Sequence, residues 1–416
     1  MRRVLFWMHL CAGAVAGLVI LIMSVTGVLL AYERQILDWA NRGYRSAPPS
    51  PNTARLPMDA LLAKVGEVRP GAPGSVTLRS DSQAPVEVGF GREQVLFVNP
   101  YTGTVLGEGS AGARAFFATV TGLHRWLGAK RENMAIGRAI TGACNLAFLF
   151  LVVSGFFLWW PKHWTPRHLK AITLFRGGLG GRARDWNWHN VIGFWSSVPL
   201  FWVVLTGVIM SYPWANNLLF RMTGSPLERR EGFPPDSARK DGRRREGGRR
   251  EGREGRVREG EPRREGEPRR EAPPVEPLWA RAQQQVPGWR SITLRTFGPP
   301  GPTLAFSIDT SNGGRPDTRS QLVLDRRTGA VVRWEQFESY SLGRRVRSWF
   351  RWVHTGEAGG VLGQTIAAAA SAGAVVLVWT GIALALRRLD SWRRRRYASP
   401  APEFQETAQE TASETN

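Results

Sequence analysis

Cysteine is almost missing from this chain: Cys11 and Cys144 are the only two in 416 residues. Two thiols so far apart exclude a disulfide-stapled framework and a cysteine-built metal cluster. Their apolar surroundings mark them as small buried hydrophobes. Acidic side chains are also scarce, 34 Asp+Glu against 56 Lys+Arg, for a formal charge of +22. In a soluble protein that balance would point to nucleic acid. A nucleotide fingerprint is lacking too. The one glycine cluster suggesting such a loop, "RGGLGG" at 176–181, has no strand ahead of it, which argues against a nicotinamide or flavin site.

What the chain does have is apolar residues gathered into four runs, Val4–Tyr32, Ala139–Trp160, Val191–Tyr212 and Val361–Leu386. Each carries about the 20 residues that a hydrocarbon core of roughly 30 Å requires. The first follows Met-Arg-Arg but is longer than a signal-peptide core, and no small-residue cleavage site follows it, so it reads as an uncleaved span. The excess positive charge then has two sources. One is the basic flanks of the spans. The other is an Arg/Glu/Gly/Pro tract over 229–271 with 16 Lys+Arg and 11 Asp+Glu. That tract is too polar to bury a core and is expected to be disordered. A single aromatic residue, Phe233, lies among its arginines, too few to stack bases, so no nucleic-acid partner is expected.

Basic residues near the span ends set the expected orientation. Arg2 and Arg3 precede the first span. Lys162, Arg167, Lys170, Arg176, Arg182 and Arg184 follow the second, and Arg387, Arg388 and Arg393 to Arg396 follow the fourth. Four crossings put all three groups on the cytoplasmic side, with both termini, and put the two long loops outside. Arg125, Arg138, Arg344, Arg345, Arg347 and Arg351 lie near the outer ends against this rule and need a local reason.

The chain also repeats itself. His9 precedes Gly27 of "VTGVLLAY" by eighteen residues, as His189 precedes Gly207 of "LTGVIMSY". Gly137 and Gly155 of the second span are spaced like Gly363 and Gly381 of the fourth. In the outer loops "SVTLRS" (75–80) answers "SITLRT" (291–296), and "NPYTGTVLG" (99–107) answers "DRRTGAVVR" (325–333). Each follows an amphipathic helical stretch, "PMDALLAKVGEV" or "PLWARAQQQV". The alternating runs "VEVGFG", "QVLFVN", "TLAFSI" and "SQLVLD" predict antiparallel strands. The expected fold is a mostly α membrane protein: four transmembrane helices from an internal duplication, with two small α+β outer domains. The segments run 4–32 (span one), 46–112 (outer domain one), 114–160 (amphipathic segment and span two), 161–186 (basic loop), 187–212 (span three), 229–271 (the Arg/Glu insert), 273–340 (outer domain two), 349–386 (histidine segment and span four) and 387–416 (tail).

Four of the six histidines fall at the ends of the spans. His9 and His189 belong near the cytoplasmic end, and His124 and His354 near the outer end. An ionisable group at membrane depth is costly and reads as functional by default. Paired imidazoles suit bis-histidine haem iron, closed to oxygen chemistry and suited to electron transfer. Zinc would want carboxylates or thiolates that these positions lack. Gly13, Gly17, Gly193, Gly359, Gly360 and Gly363 would let helices approach a flat ligand closely. Arg125 and Arg351 would pair with propionates or an anionic substrate. His124 lies thirteen residues ahead of Gly137, and His354 nine ahead of Gly363. A helical "AKRE" stretch would let the two histidines share a face despite that difference. His163 and His168 have no repeat partner and read as surface residues. No catalytic acid, base or nucleophile is expected.

The motifs "LHRWLG…GR…SGFFLWWP", "WHNVIGFW…LTG" and "VHTGEAGG…WTGIAL" resemble the PepSY-associated transmembrane family, and the two outer repeats resemble its PepSY domains. Members include bacterial inner-membrane ferric-siderophore reductases. The resemblance implies two b-type haems, with His9 and His189 as axial ligands of one and His124 and His354 of the other. It also implies electrons delivered by a separate donor, a reductase or quinol, to a ferric siderophore or similar chelate on the periplasmic face. PepSY domains occur in peptidase regulators as well. The competing expectation is therefore a cofactor-free membrane regulator, in which all four histidines are incidental.

Overall fold

In a computed structural model the protein is described at residues 1–91, 94–161, 163–227, 273–295 and 301–397. The Arg/Glu insert expected over 229–271 and the tail beyond residue 397 lie outside these. In chain order the elements are helices α1 (Arg2–Leu30), α2 (Glu33–Ala40) and α3 (Met58–Val68), then strands β1 (Ser75–Arg79), β2 (Val86–Phe90), β3 (Gln94–Val98) and β4 (Val105–Gly107). Helices α4 (Ala111–Trp126), α5 (Met134–Trp159), α6 (Pro166–Thr173), α7 (Gly181–Ser211), α8 (Pro213–Met222) and α9 (Glu276–Gln285) follow. Strands β5 (Ser291–Arg295), β6 (Thr303–Asp309), β7 (Arg319–Asp325) and β8 (Val331–Glu335) lead to α10 (Leu342–His354) and α11 (Gly360–Tyr397). Two compact units result. Of the described residues, one combines those within 1–39, 112–215 and 349–397, and the other those within 40–111 and 216–348.

The first unit is a four-helix bundle. Its long helices α1, α5, α7 and α11 are each long and apolar enough to cross a membrane. They form a closed ring, α1 packing on α5 and α11, and α7 packing on the same two. Large apolar side chains such as Val15, Leu18, Phe157, Val198 and Trp202 point outward, while small and polar ones such as Ser24, Asn145, Ser196 and Gln364 are buried. That inversion of the usual pattern suits a hydrocarbon solvent, where polar groups must find partners inside the bundle. Gln364 is an example: its amide donates to Ala31 O at 2.8 Å and its carbonyl accepts from Gln35 at 2.7 Å. Cys11 departs from expectation, since it is exposed on the outside of α1 rather than buried.

Two span boundaries also differ from expectation. α7 starts at Gly181, so His189 lies inside the helix and not at its mouth. α4 ends at Trp126, after which Leu127 (φ 53°) and Gly128 (φ 75°) reverse the chain. The "AKRE" stretch therefore belongs to a turn and a short 3-10 segment, not to a continuous helix.

The second unit is built on one sheet of eight antiparallel strands, in the order β4-β3-β2-β1-β5-β6-β7-β8. Two separate outer domains were expected. Instead "SVTLR" and "SITLR" pair with each other at the centre, Thr77 opposite Thr293, with their hydroxyls 3.0 Å apart. Alternate residues of these strands are buried, among them Val76, Leu78, Ile292 and Leu294, and they pack with Leu61 and Val65 of α3 and Trp279 and Ala282 of α9. The strand turns are alike too. Asn99 Oδ1 accepts from the amides of Tyr101 and Thr102, and Asp325 Oδ1 from those of Arg327 and Thr328. Each turn closes on a left-handed glycine, Gly103 or Gly329.

α3 and α9 cap each other. The Asp59 carboxylate accepts from the amides of Val275 (2.8 Å) and Glu276 (2.9 Å), and Glu276 accepts from the amide of Met58. These bonds satisfy first-turn amides that no helix can satisfy internally. Asp59→Ala is expected to destabilise the sheet unit by about 1–2 kcal/mol, read as a lower thermal unfolding midpoint. An unchanged midpoint would contradict the reciprocal capping.

Candidate functional site

Each of the four long helices of the bundle carries a buried hydroxyl followed by glycine: Thr26-Gly27 on α1, Ser154-Gly155 on α5, Thr206-Gly207 on α7 and Thr380-Gly381 on α11. Each of these dyads meets one histidine from another helix. His9 Nδ1 lies 2.8 Å from Ser154 Oγ, His124 Nδ1 2.9 Å from Thr26 Oγ1, and His189 Nδ1 2.9 Å from Thr380 Oγ1. His354 Nδ1 sits 2.8 Å from the Val203 carbonyl and 3.4 Å from Thr206 Oγ1.

The glycines make room for the rings. A methyl group placed on Gly155 would come within 3.5 Å of His9 Cε1, on Gly381 within 3.4 Å of His189 Cε1, on Gly207 within 3.3 Å of His354 Cε1, and on Gly27 within 3.7 Å of His124 Cε1. The glycines expected to flank a flat ligand behave differently. Gly13, Gly17 and Gly193 face Leu151, Val378 and Leu377 of neighbouring helices, Gly363 faces the backbone of Gly356, and Gly359 and Gly360 face open space.

The hydrogen bonds select a tautomer. Thr26, Thr206 and Thr380 donate their hydroxyl protons to the carbonyls of Ile22, Trp202 and Val376, at 2.6, 2.8 and 2.7 Å. Ser154 donates to Leu151 O at 3.3 Å. A hydroxyl whose proton is used this way can only accept from imidazole, and the Val203 carbonyl can only accept. Nδ1 of His124, His189 and His354 therefore carries the proton and Nε2 presents its lone pair, and the same assignment for His9 rests on the longer Ser154 contact. A second partner that fixes the tautomer and orientation of a ring in this way is the usual support of a metal-bound histidine.

The histidines come together two by two. The rings of His124 and His354 lie 6.2 Å apart between centroids, with planes inclined by 66°. Two imidazole–metal bonds of about 2 Å, plus the ring radii, give a centroid spacing of about 6 Å when one ion lies between them. The four-residue difference in spacing ahead of the two spans is thus absorbed by the turn after α4. His9 and His189 lie within electrostatic reach of one another. Along α1, His9 and Thr26 are seventeen residues apart, as are His189 and Thr206 on α7. At helical rise that separates the two levels by about 25 Å. Among the described residues no three His, Cys, Asp or Glu side chains gather.

Arg125 and Arg351 are exposed at the ends of α4 and α10, over the rings of Trp126 (4.7 Å) and Trp352 (5.1 Å). Arg351 also acts on Glu33, a half-buried carboxyl that burial pushes above the usual range while Arg351 draws it back. Three more of the arginines expected near the outer ends have local partners. Arg344 pairs with Glu335 at 2.9 Å, Arg345 donates to Tyr340 O at 3.0 Å, and Arg347 donates to Asn216 at 2.9 Å. His163 and His168 stay on the surface, as expected. His168 faces Thr165 at the start of α6.

Sequence reasoning missed the four hydroxyls, although the Ser/Thr-Gly repeat was their signal. It also missed Asp185, which is fully buried one turn before His189 and bridges Arg184 (2.9 Å) and Arg387 (3.0 Å). Arg184 in turn lies between the rings of Trp188 and Trp379. This ties α7 to α11 next to the His189 level, and in the sequence Asp185 was only one acid in a basic loop.

The chain matches the model of the PepSY-associated TM region over residues 6–388 and belongs to that family. A search of curated proteins finds no match. The tautomer is directly testable. Nitrogen NMR of histidine-labelled, metal-free protein in detergent should show Nδ1 protonated and Nε2 bare in all four bundle rings, and protonation at Nε2 would contradict the network.

Proposed function

We propose that this PepSY-associated membrane protein is a two-haem b-type electron carrier of the bacterial inner membrane. It passes single electrons from a cytoplasmic donor or the quinol pool to a ferric siderophore, or another ferric chelate, at the periplasmic face. The observation that carries this reading is the fourfold histidine–hydroxyl–glycine unit. It offers four bare Nε2 atoms in two pairs, one of them at the spacing of a bis-imidazole site. His9 with His189 would hold one haem and His124 with His354 the other. The palindromic order of the outer sheet supports descent of both halves from one duplicated unit.

Haem bound at the two levels supplies reversible one-electron transfer. The protein's part is positional. Ser154, Thr26, Thr380 and Thr206 hold the Nδ1 protons, so that each ring keeps its orientation and basicity through a change of iron charge. Two imidazoles at each level would close a bound iron to oxygen. Arg125 and Arg351 offer cationic ends to propionates or to an anionic chelate. Adding one electron to chelated Fe(III) gives Fe(II), whose weaker hold on hard oxygen ligands releases the metal without breaking the chelator. The two termini and the basic stretch between α5 and α7 lie on the cytoplasmic side in this reading.

Replacing His9, His124, His189 or His354 singly with alanine is expected to remove one of two haems in each case while leaving the other in place. Retention of both haems in all four variants would rule out the assignment. The acceptor has its own test. Reduced protein mixed with a ferric siderophore should reoxidise and yield one trapped Fe(II) per electron. No reoxidation above buffer would exclude that acceptor.

A further inference from the structure

The segment between α6 and α7 encloses a second feature that electron transfer does not use. A cavity of about 530 Å³ opens there, lined by Arg176, Leu179, Arg182, Ala183, Trp186 and Asn187. Its wall is braced. Asn187 is buried, accepts from the Arg176 amide at 3.1 Å and donates to Ala171 O and Leu174 O at 3.3 Å each. Trp195 Nε1 ties the same segment through Thr173 O at 3.0 Å. Gly178 and Gly181, both at positive φ, turn the backbone around the opening.

The charge is one-sided. Arg176 and Arg182 are exposed, and among the described residues neither guanidinium has a hydrogen-bond or ion-pair partner. No carboxylate lines the cavity. The adjacent acid, Asp185, is buried and neutralised by Arg184 and Arg387. The cavity also adjoins the first turn of α7, whose free amides add partial positive charge. Leu179, Ala183 and Trp186 line the cavity beside the arginines, the last half-exposed and one helical turn from Arg182.

We propose that this cavity binds a phosphate ester with an apolar or aromatic body. Arg176 and Arg182 would hold the phosphate, and Leu179 and Trp186 would cover the body. Guanidinium forks match phosphate oxygens in two parallel hydrogen bonds, and an unpaired arginine pair beside an apolar wall fits that ligand better than a simple anion. The phosphate has two possible sources, an anionic phospholipid headgroup at the membrane surface or a soluble phosphate ester. The inference stands apart from the haem reading, since it uses none of the four histidines.

The test uses the full chain in phosphatidylcholine nanodiscs. One arm adds phosphatidylglycerol and counts lipids retained per protein by native mass spectrometry. The other titrates flavin mononucleotide, with riboflavin as the phosphate-free control, and reads flavin fluorescence quenching. R176Q/R182Q is compared with the charge-matched R167Q/R393Q, both made of exposed residues and each checked for an unchanged melting midpoint. Loss of one charged hydrogen-bonding partner costs about tenfold in affinity, so the first double variant should lose tenfold or more. Selective loss of phosphatidylglycerol assigns the site to a headgroup, and selective loss of flavin mononucleotide to a soluble ester. Binding of neither probe, or equal loss in both double variants, would overturn the proposal.

Discussion

The arrangement of the bundle depends on one hydrogen bond made four times, from a histidine Nδ1 to an oxygen on a neighbouring helix. In the bundle a half-buried imidazole must place its N–H on an acceptor. The Ser/Thr hydroxyl meets that need only because its own proton is already committed to a backbone carbonyl one turn earlier. The glycine after it removes the side chain that would keep the ring away. Hydroxyl, glycine and histidine therefore act as one unit, and each unit ties two helices together while leaving Nε2 bare.

The same units explain the shape of the ring. His9 links α1 to α5 and His189 links α7 to α11, while His124 and His354 reach back from the ends of α4 and α10 to α1 and α7. Helix association in hydrocarbon gains little from apolar burial, so small residues and interhelical hydrogen bonds carry it. His354 differs from the others in donating to a carbonyl at 2.8 Å, with its threonine farther off. His354 thus has a different first acceptor behind its ring from that of His124 at the same level. A stronger acceptor makes an imidazole more basic, which would tune any metal bound at its Nε2.

Much of this was legible beforehand because the bilayer imposes long apolar runs and the repeats mark equivalent positions. The four spans, the strands from Ser75 to Glu335 and the four paired histidines all followed from those two signals. What was not legible needed three dimensions. That Thr77 would lie opposite Thr293, merging two expected domains into one sheet, depends on an edge pairing that no local pattern encodes. The turn after α4 was hidden because Leu127 adopts a left-handed conformation that its type seldom takes. The hydroxyl of each Ser/Thr-Gly pair was visible in the repeat, but its acceptor role appears only once the carbonyl one turn earlier and the facing ring are placed. Asp185 was hidden for a similar reason, since Arg387 lies two hundred and two residues away.

The central claim is that these four imidazoles are haem ligands, and the most direct measurement is the visible absorption spectrum of the purified protein, air-oxidised and then dithionite-reduced, with a pyridine haemochrome count. The account predicts sharp α and β bands on reduction and about two haems b per chain. A featureless spectrum from folded protein produced with ample haem would contradict it, and would leave the histidine–hydroxyl units as structural ties alone.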